Sequence, residues 1–466
     1  MNTQNITNNL ILNTDSYKLS HFGFEEPGTT KLVSYIEARK GGEYDETVFF
    51  GLQYFLKKYM QTRITMTMVD QAEMVVQAHG LPFNRKGWEY IVNERGGRIP
   101  LQIKAVKEGT LVPTGNALVV IENTDPNCAW VTSYFETAIL RAVWYGTTVA
   151  TRAFEFRKLI KRFLEETGDP AEIDYKFIDF GARGASSKES SEIAGAAHQI
   201  SFAGTDNIVG ILAAMEYYNS PEVPSHSIPA SEHTVTISWG ANREKEFFEN
   251  ALKVYGGEGK MVSVVSDTYS MENALKLWGE DLKEQVLESG GTVVVRPDSG
   301  VPVDQVLLAV KTLDGYYGST VNEKGYKRLN PAVRVIQGDG VNLDSVREIL
   351  EALKAEGYST SNVTFGCGGY LLQDLTRDTL RFAMKGSYAE VNGASREIRK
   401  VVETDPSKAS KAGNLMLVRT EAGELQTIRL EDISSSVRPM MDNVYFDGVI
   451  NRDQKLSDIR ELVASQ

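Results

Sequence analysis

Cysteine is scarce in this 466-residue chain: Cys128 and Cys367 stand far apart, outside any CxxC or Cys/His ligand spacing. A disulfide framework and a structural zinc site are therefore excluded as organising devices, and both thiols are expected to be reduced. Long apolar runs are missing too. No window approaches the roughly 18 consecutive apolar residues of a membrane span, and the opening MNTQNITNNL lacks the basic stretch and apolar run of a signal peptide. The expected location is the cytoplasm. Positive charge is in deficit, with a net charge of −12, which argues against nucleic acid or an anionic membrane as partner, since both need a broad positive field. A polyanionic small molecule still fits, because it needs only a local cluster of Arg and Lys in a cleft.

What is present is enough for a large core: 42% of the residues are hydrophobic, and the length favours two or three domains. Residues 1–168 read as a mixed α+β part. Helical periodicity covers 46–61 and 66–78, strands are expected at 101–106 and 117–121, and a long helix over about 136–166 stops at Gly168-Asp169-Pro170. From residue 169 to 378 the pattern changes to short β-branched runs, each ending abruptly in polar or glycine-rich residues. KFIDF runs into Gly181-Ala182-Arg183-Gly184, MVSVVS into Asp267, TVVV into Arg296-Pro297-Asp298-Ser299-Gly300, AVRVIQ into Gly338-Asp339-Gly340, and NVTF into Gly366-Cys367-Gly368-Gly369. With amphipathic helices such as 303–313 and 343–354 between them, this is an α/β domain with parallel strands, closed or open. Residues 379–466 form a third part, in which 407–413 reads as an exposed basic loop.

In such folds ligands bind beyond the carboxyl ends of the strands, and every suggestive residue lies there. The glycine-rich turn at 366–369, followed by a helix expected over 371–385, either lets backbone N–H groups approach a phosphate or is simply a tight turn; Arg377 on that helix could assist the first. Charges placed directly after buried strands must pair with one another or face a ligand. Asp267, Asp298 and Asp339 with Arg183 and Arg296 suit a phosphorylated sugar, since carboxylates accept from ribose hydroxyls or hold Mg²⁺ while arginines neutralise phosphate. His233, one of five histidines, is either structural or catalytic. Asp206 reads first as a helix N-cap.

Together these segments resemble the nicotinamide phosphoribosyltransferase family over essentially the whole chain. The likeness is carried by Thr14-Asp15-Ser16-Tyr17-Lys18, Phe49-Phe50-Gly51-Leu52-Gln53-Tyr54, Asp179-Phe180-Gly181-Ala182-Arg183-Gly184, Gly204-Thr205-Asp206, Ile228-Pro229-Ala230-Ser231-Glu232-His233, Val265-Ser266-Asp267, Arg296-Pro297-Asp298-Ser299-Gly300, Ile336-Gln337-Gly338-Asp339-Gly340 and Leu372-Gln373-Asp374-Leu375-Thr376-Arg377-Asp378. Their order and spacing, not any one of them, make the match. Ala182 departs from it where an aromatic is common, Tyr370 replaces a third glycine, Ala383 replaces a serine, and the loop after Arg39 is short.

The resemblance implies a type II phosphoribosyltransferase: a barrel-like parallel α/β domain joined to a mixed α+β domain built from both chain ends, in a homodimer with shared active sites. It implies transfer of the phosphoribosyl group of phosphoribosyl pyrophosphate to nicotinamide, with Mg²⁺ and with ATP as a coupled substrate. By the same carry-over Phe180 and the partner chain's Tyr17 sandwich the pyridine ring, Asp206 receives the carboxamide with Ser227 and Ile228 beside it, and Arg183 and Arg296 contact substrate. Asp298, Gly338 and Asp339 fall on the ribose side, and Gly368, Gly369 and Arg377 hold the 5′-phosphate. Arg39, Lys385, Lys400 and Lys408 match positions near pyrophosphate or nucleotide phosphates. His233 matches a histidine phosphorylated by ATP, with Asp267 as its candidate partner. Which residues ligate the metal is not indicated. The rival readings are a nicotinate phosphoribosyltransferase, a sugar-phosphate isomerase or aldolase on a barrel, and a non-catalytic binding protein on the same fold.

Overall fold

The computed structural model describes residues 6–401 and 409–466. The chain divides into two compact units, one formed by Met1–Thr151, Ala213–Pro221 and Thr376–Gln466, the other by Arg152–Leu212 and Glu222–Leu375. The long helix Glu136–Thr167 belongs to the first unit up to Thr151 and to the second from Arg152. Among the described residues no helix is long and apolar enough to cross a membrane.

The first unit is mixed α+β and takes strands from both chain ends. Its seven-stranded sheet runs Ala394–Glu397, Phe382–Val391, Thr29–Ala38, Ala117–Asn123, Leu101–Val106, Met441–Phe446, Val449–Ile450, with every neighbouring pair antiparallel. Every residue of Ala117–Asn123 is buried. Trp88 packs edge-on against Trp130 and Tyr134, with ring centroids 4.9 and 5.1 Å away. Truncating so buried an aromatic to alanine costs about 3–5 kcal/mol.

Two expected helices are interrupted. Over 46–61 the chain forms a strand, Glu46–Val48, paired with Leu111–Pro113, and turns helical only at Leu52. The reason is burial without a face: Val48, Phe49 and Phe50 are all enclosed, and the Val48 and Phe50 amides donate to Thr151 and Thr147 hydroxyls at 3.0 and 3.1 Å. Over 371–385 the helix lasts only from Gly369 to Leu372. Beyond it the Thr376 amide donates to Thr379 Oγ1 and the Asp378 amide to Thr376 Oγ1, at 2.9 and 3.2 Å, local bonds that compete with helix. Phe382–Val391 then joins the sheet beside Thr29–Ala38, so Arg377 lies on a turn, not on a helix. Within 409–413 the expected basic loop is exposed only at Ala409, and the Lys411 ammonium pairs with the buried Glu37 carboxylate. Ser407 and Lys408 fall outside the described residues.

The second unit is the α/β one. Its six-stranded sheet is parallel throughout, in the order Gly204–Thr205, Phe177–Asp179, Val363–Cys367, Val333–Gln337, Thr292–Arg296, Met261–Val265. Crossover helices include Lys188–His198, Pro302–Tyr317 and Leu343–Ala355, the last opened by a reciprocal cap between Asn342 and Ser345. The two sheet edges are bridged by one irregular segment: His226 pairs with Gly204 and Ala230 with Ser263. This bridging curls the sheet into a barrel-like form around a cavity of about 600 Å³ lined by Ile178, Val294, Ile336 and Thr364, with Ser227 and Ile228 also on its wall.

Candidate active site

In the second unit the strand ends gather the predicted residues in space. Phe180 leaves its strand with its amide donating to Cys367 O at 2.9 Å. Its ring lies where a side chain at Gly366 would be, since a Cβ built there would sit 2.0 Å from ring carbon Cε2. Gly338 leaves room on the same side: a Cβ there would come 3.1 Å from Arg296 Nε and 3.3 Å from the Phe180 ring, a tight contact that would press on both. With both floors bare, the Arg296 guanidinium stands 5.4 Å from the Phe180 ring centroid, within cation–π range. Arg296 also donates through Nε and Nη2 to Asp298 Oδ1 at 3.2 and 2.7 Å.

That pair continues into His233. Its Nε2 stands 3.3 Å from Asp298 Oδ2 and 3.8 Å from Asp267 Oδ1, and its Nδ1 is 3.1 Å from Thr268 Oγ1. Asp267 in turn accepts from the Asp298 amide at 2.8 Å and from Ser299 Oγ at 2.6 Å through Oδ2. Its buried Oδ1 has no hydrogen-bond partner among the described residues, so an acceptor is held open toward the imidazole. Asp298 is the carboxylate within hydrogen-bond reach of Nε2, and a tautomer that donates to it through Nε2–H has Nδ1 accepting from the Thr268 hydroxyl.

Asp206 is not the helix cap. Asn207 takes that place, its Oδ1 accepting from the Gly210 amide at 3.1 Å at the start of helix Ile208–Tyr217. An amide side chain can serve there while also donating elsewhere, which releases Asp206 to the surface; its Oδ1 accepts from Ser227 Oγ at 2.5 Å. Asp206 is tied to the Phe180 strand by its amide, which donates to Asp179 O at 3.0 Å. Asp179, wholly buried, has its carboxyl pushed up to about 6, first by burial, against the hydrogen bonds from Gly181 and Asn207.

The remaining predicted residues of this unit are less committed. Arg183 is exposed on the turn Ala182–Gly184, and Asp339 is exposed at the end of Val333–Gln337, its carbonyl accepting from Gln337 Nε2 at 2.7 Å. Gly368 and Gly369 turn the chain after Cys367 into the four-residue helix.

The first unit holds a basic group of its own. Lys385, on strand Phe382–Val391, has its ammonium pKa pushed down by burial first; Glu136 raises it, while Arg39, Lys400 and Arg377 lower it further. The cations predicted near phosphates therefore share one field. Arg39 Nε is held by Arg381 O at 3.0 Å. Arg377 and Lys400 are exposed. Tyr17 is 54% exposed, its ring meeting the edge of His21 at 5.1 Å and the Lys18 ammonium at 5.2 Å.

The sequence alone did not single out Asp179, Asn207, Thr268 or Ser299, and it marked Gly366 for a phosphate turn and not as the space for the Phe180 ring. Asp179 lay inside a quoted motif and Asn207 directly before an apolar helix, where a cap is expected; nothing local marks Thr268 as a histidine partner.

The sequence matches the family described as the nicotinate phosphoribosyltransferase family over residues 175–437, and the nicotinamide phosphoribosyltransferase N-terminal domain over residues 9–103. It is 45% identical over 459 residues to a nicotinamide phosphoribosyltransferase of Xanthomonas campestris pv. campestris, covering 97% of each chain. The chain belongs to this phosphoribosyltransferase family. A second relative, a nicotinamide phosphoribosyltransferase of Acinetobacter baylyi, is 30% identical over 91% of this chain and 89% of its own. The fold is shared with a nicotinate-nucleotide pyrophosphorylase from Pyrococcus furiosus at a TM-score of 0.65, with 15% identity and coverage of 100% and 96% of the two chains. A phosphoribosyltransferase of this family is an enzyme, so the non-catalytic reading and the isomerase reading both fall. Among the described residues no three His, Cys, Asp or Glu side chains are grouped to hold a metal ion.

Proposed function

We propose that this phosphoribosyltransferase acts in NAD salvage by joining nicotinamide to the anomeric carbon of phosphoribosyl pyrophosphate, giving nicotinamide mononucleotide and pyrophosphate. The observation that carries the choice of base is Asp206, an exposed carboxylate anchored to the Phe180 strand end and oriented by Ser227. A carboxamide stacked on Phe180 donates to it. The carboxylate of nicotinate cannot: two like charges about 4 Å apart at an effective dielectric of about 20 repel by about 4 kcal/mol, roughly a thousandfold.

As the pyridine nitrogen attacks and pyrophosphate leaves, the ribose takes on oxocarbenium character, and the protein's work is alignment and charge. Phe180 orients the ring, while Asp298 and Asp339 face the ribose. Arg39, Arg377, Lys385 and Lys400 neutralise the phosphates. Mg²⁺, where bound, would be held by one or two of the strand-end carboxylates and would supply charge against the leaving pyrophosphate, a role that needs no three-residue cluster. Tyr17 would complete each site from the second copy of a homodimer.

ATP coupling fits the His233 geometry. With Nε2–H donating to Asp298, Nδ1 exchanges its contact with the Thr268 hydroxyl for the γ-phosphorus of ATP; the N–P bond forms as the bond to the ADP oxygen breaks. The test is a product assay with phosphoribosyl pyrophosphate, Mg²⁺ and either base, with and without ATP. Nicotinate used as efficiently as nicotinamide would remove the Asp206 reading, and Asp206→Asn should narrow the gap between the bases. Full ATP hydrolysis by His233→Ala would remove the phosphohistidine.

A further inference from the structure

Two buried polar residues next to the site touch none of the atoms proposed to meet substrate, yet they join the two that do. Asp179 and Asn207 are both at 0% exposure. Asp179 Oδ1 accepts from the Gly181 amide at 2.7 Å, closing a turn around Phe180. Its Oδ2 accepts from Asn207 Nδ2 at 3.0 Å. The Asn207 amide is used at every position. Nδ2 donates also to Ser191 O at 3.0 Å, and Oδ1 accepts from Ser191 Oγ and from the Gly210 amide, each at 3.1 Å. Asp206 sits between these anchors, its own amide on Asp179 O and the next residue immobilised.

No cation is among the groups that act on Asp179; the charged one is Asp206, which opposes its ionisation. A carboxylate buried without a counter-charge is expensive, and an apolar residue would pack here at lower cost. The arrangement is explained if alignment is what it supplies. A planar base held by its face on Phe180 and by its amide on Asp206 needs both contacts in register, and a misplacement of about 1 Å costs on the order of a hundredfold in rate.

We propose that Asp179 and Asn207 are positioning residues which lock Phe180 and Asp206 into one rigid frame, so that base affinity and the choice of nicotinamide over nicotinate are set from behind the pocket. The inference rests on the reading of Phe180 and Asp206 as the base contacts. The frame calls for a residue at 179 that accepts on both sides. An asparagine in place of Asp179 would have to turn its NH₂ toward either the Gly181 N–H or the Asn207 NH₂, donor against donor.

The experiment is steady-state kinetics with both bases on Asp179→Asn, on the exchanged pair Asp179→Asn with Asn207→Asp, and on the milder Ser191→Ala, which removes one bond to Asn207. Asp179→Asn should raise KM for nicotinamide by about tenfold with a smaller change in kcat, and should lower the nicotinamide-to-nicotinate ratio. The exchanged pair restores donor to acceptor between the two side chains, though its relocated carboxylate then faces Ser191 O, so recovery should be partial. Ser191→Ala should shift KM and the ratio the same way by a factor of about two, and decides the matter if Asp179→Asn does not fold. A loss confined to kcat, equal for the two bases, is what simple loss of folded enzyme would give, and it would overturn the proposal. Phe180→Ala and Asp206→Asn separate the two levels. If neither alters KM for the base, the base-pocket reading has failed; if both do and the buried variants do not, only the positioning role has.

Discussion

Three carboxylates of the α/β unit and two cations of the mixed unit, Arg377 and Lys400, are held in opposite ways. Asp179, Asp267 and Asp298 each accept at least two hydrogen bonds from named neighbours, and Arg296 is fixed by Asp298 and by the Phe180 ring. By contrast the Arg377 side chain reaches only Asp378 among the described residues, at 3.5 Å, and Lys400 is exposed with its amide on Ser410 Oγ. The difference follows from what each must do. Aligning a ring and an anomeric carbon requires orientation set before substrate arrives, whereas neutralising pyrophosphate requires positive charge nearby, which mobile side chains supply as well as fixed ones.

If that contrast holds, the largest loss comes from breaking the fixed side. Arg296→Ala removes the cation from Asp298 and from the face of Phe180, and kcat/KM should fall by about a thousandfold. Steady-state assay against a folding control measures it; a loss under tenfold would mean that the pair is structural. The same variant tests the shared site. Tyr17→Ala and Arg296→Ala homodimers are each impaired, but in a mixed dimer both lesions fall in one site and leave the other whole. Equal mixing gives about half mixed dimers with one good site of two, so activity should recover to about a quarter of wild type. No recovery in verified mixed dimers would abolish the shared arrangement.

Breaking the loose side should cost less and depend more on conditions. Lys385→Met should raise KM for phosphoribosyl pyrophosphate by about tenfold, with added salt shrinking the difference from wild type. The pH dependence carries the sign. The Lys385 ammonium titrates below an ordinary lysine because of burial, with Arg39, Lys400 and Arg377 adding to that against Glu136. Anion binding favours its charged form, so KM for this substrate should climb as pH rises through the alkaline range. Lys385→Arg, charged throughout, should flatten that climb. An equally steep rise in the arginine variant would show that another group titrates.

This contrast also explains what could be read before the fold was known. The parallel strands were legible because each is a short β-branched run ending in a charged or glycine turn, and Arg296, Asp298 and Asp339 stand out at those ends, whereas His233, at the start of helix His233–Trp239, reads as either structural or catalytic without the family resemblance. The interruption at 46–61 was not, because the burial of Val48 to Phe50 on all sides comes from tertiary contacts with Thr147 and Thr151. The helix expected over 371–385 gave way to a strand whose partner lies more than three hundred residues earlier, at Thr29–Ala38. Asp206 was first read as a cap, since the sequence does not say which of two adjacent side chains accepts from the helix. Asn207 does so because it alone can also donate to Asp179.

The smallest effect lies away from both regions and sharpens the comparison by asking what a buried carboxylate costs when nothing is gained from it. Glu244, the first residue of helix Glu244–Tyr255, is 6% exposed, and its Oε1 has no hydrogen-bond partner among the described residues. A helix N-terminus favours a carboxylate, yet burial wins and pushes this one up to about 7. A folded pKa above the unfolded value of 4.5 means that the native state binds the proton more tightly. The stabilisation is therefore fully present below 4.5 and is lost as pH rises through about 7. Glu25, also pushed up to about 7, and Asp179 add slopes of the same sign. Glu244→Gln removes the charge without the volume, so it should raise Tm by roughly 2 °C near pH 8 and change little near pH 5, where the wild-type carboxyl is already protonated. Thermal melts across that range read the result directly. Parallel curves for the two proteins would mean that Glu244 is solvated in solution, and that the unpaired oxygen is not a cost the fold carries.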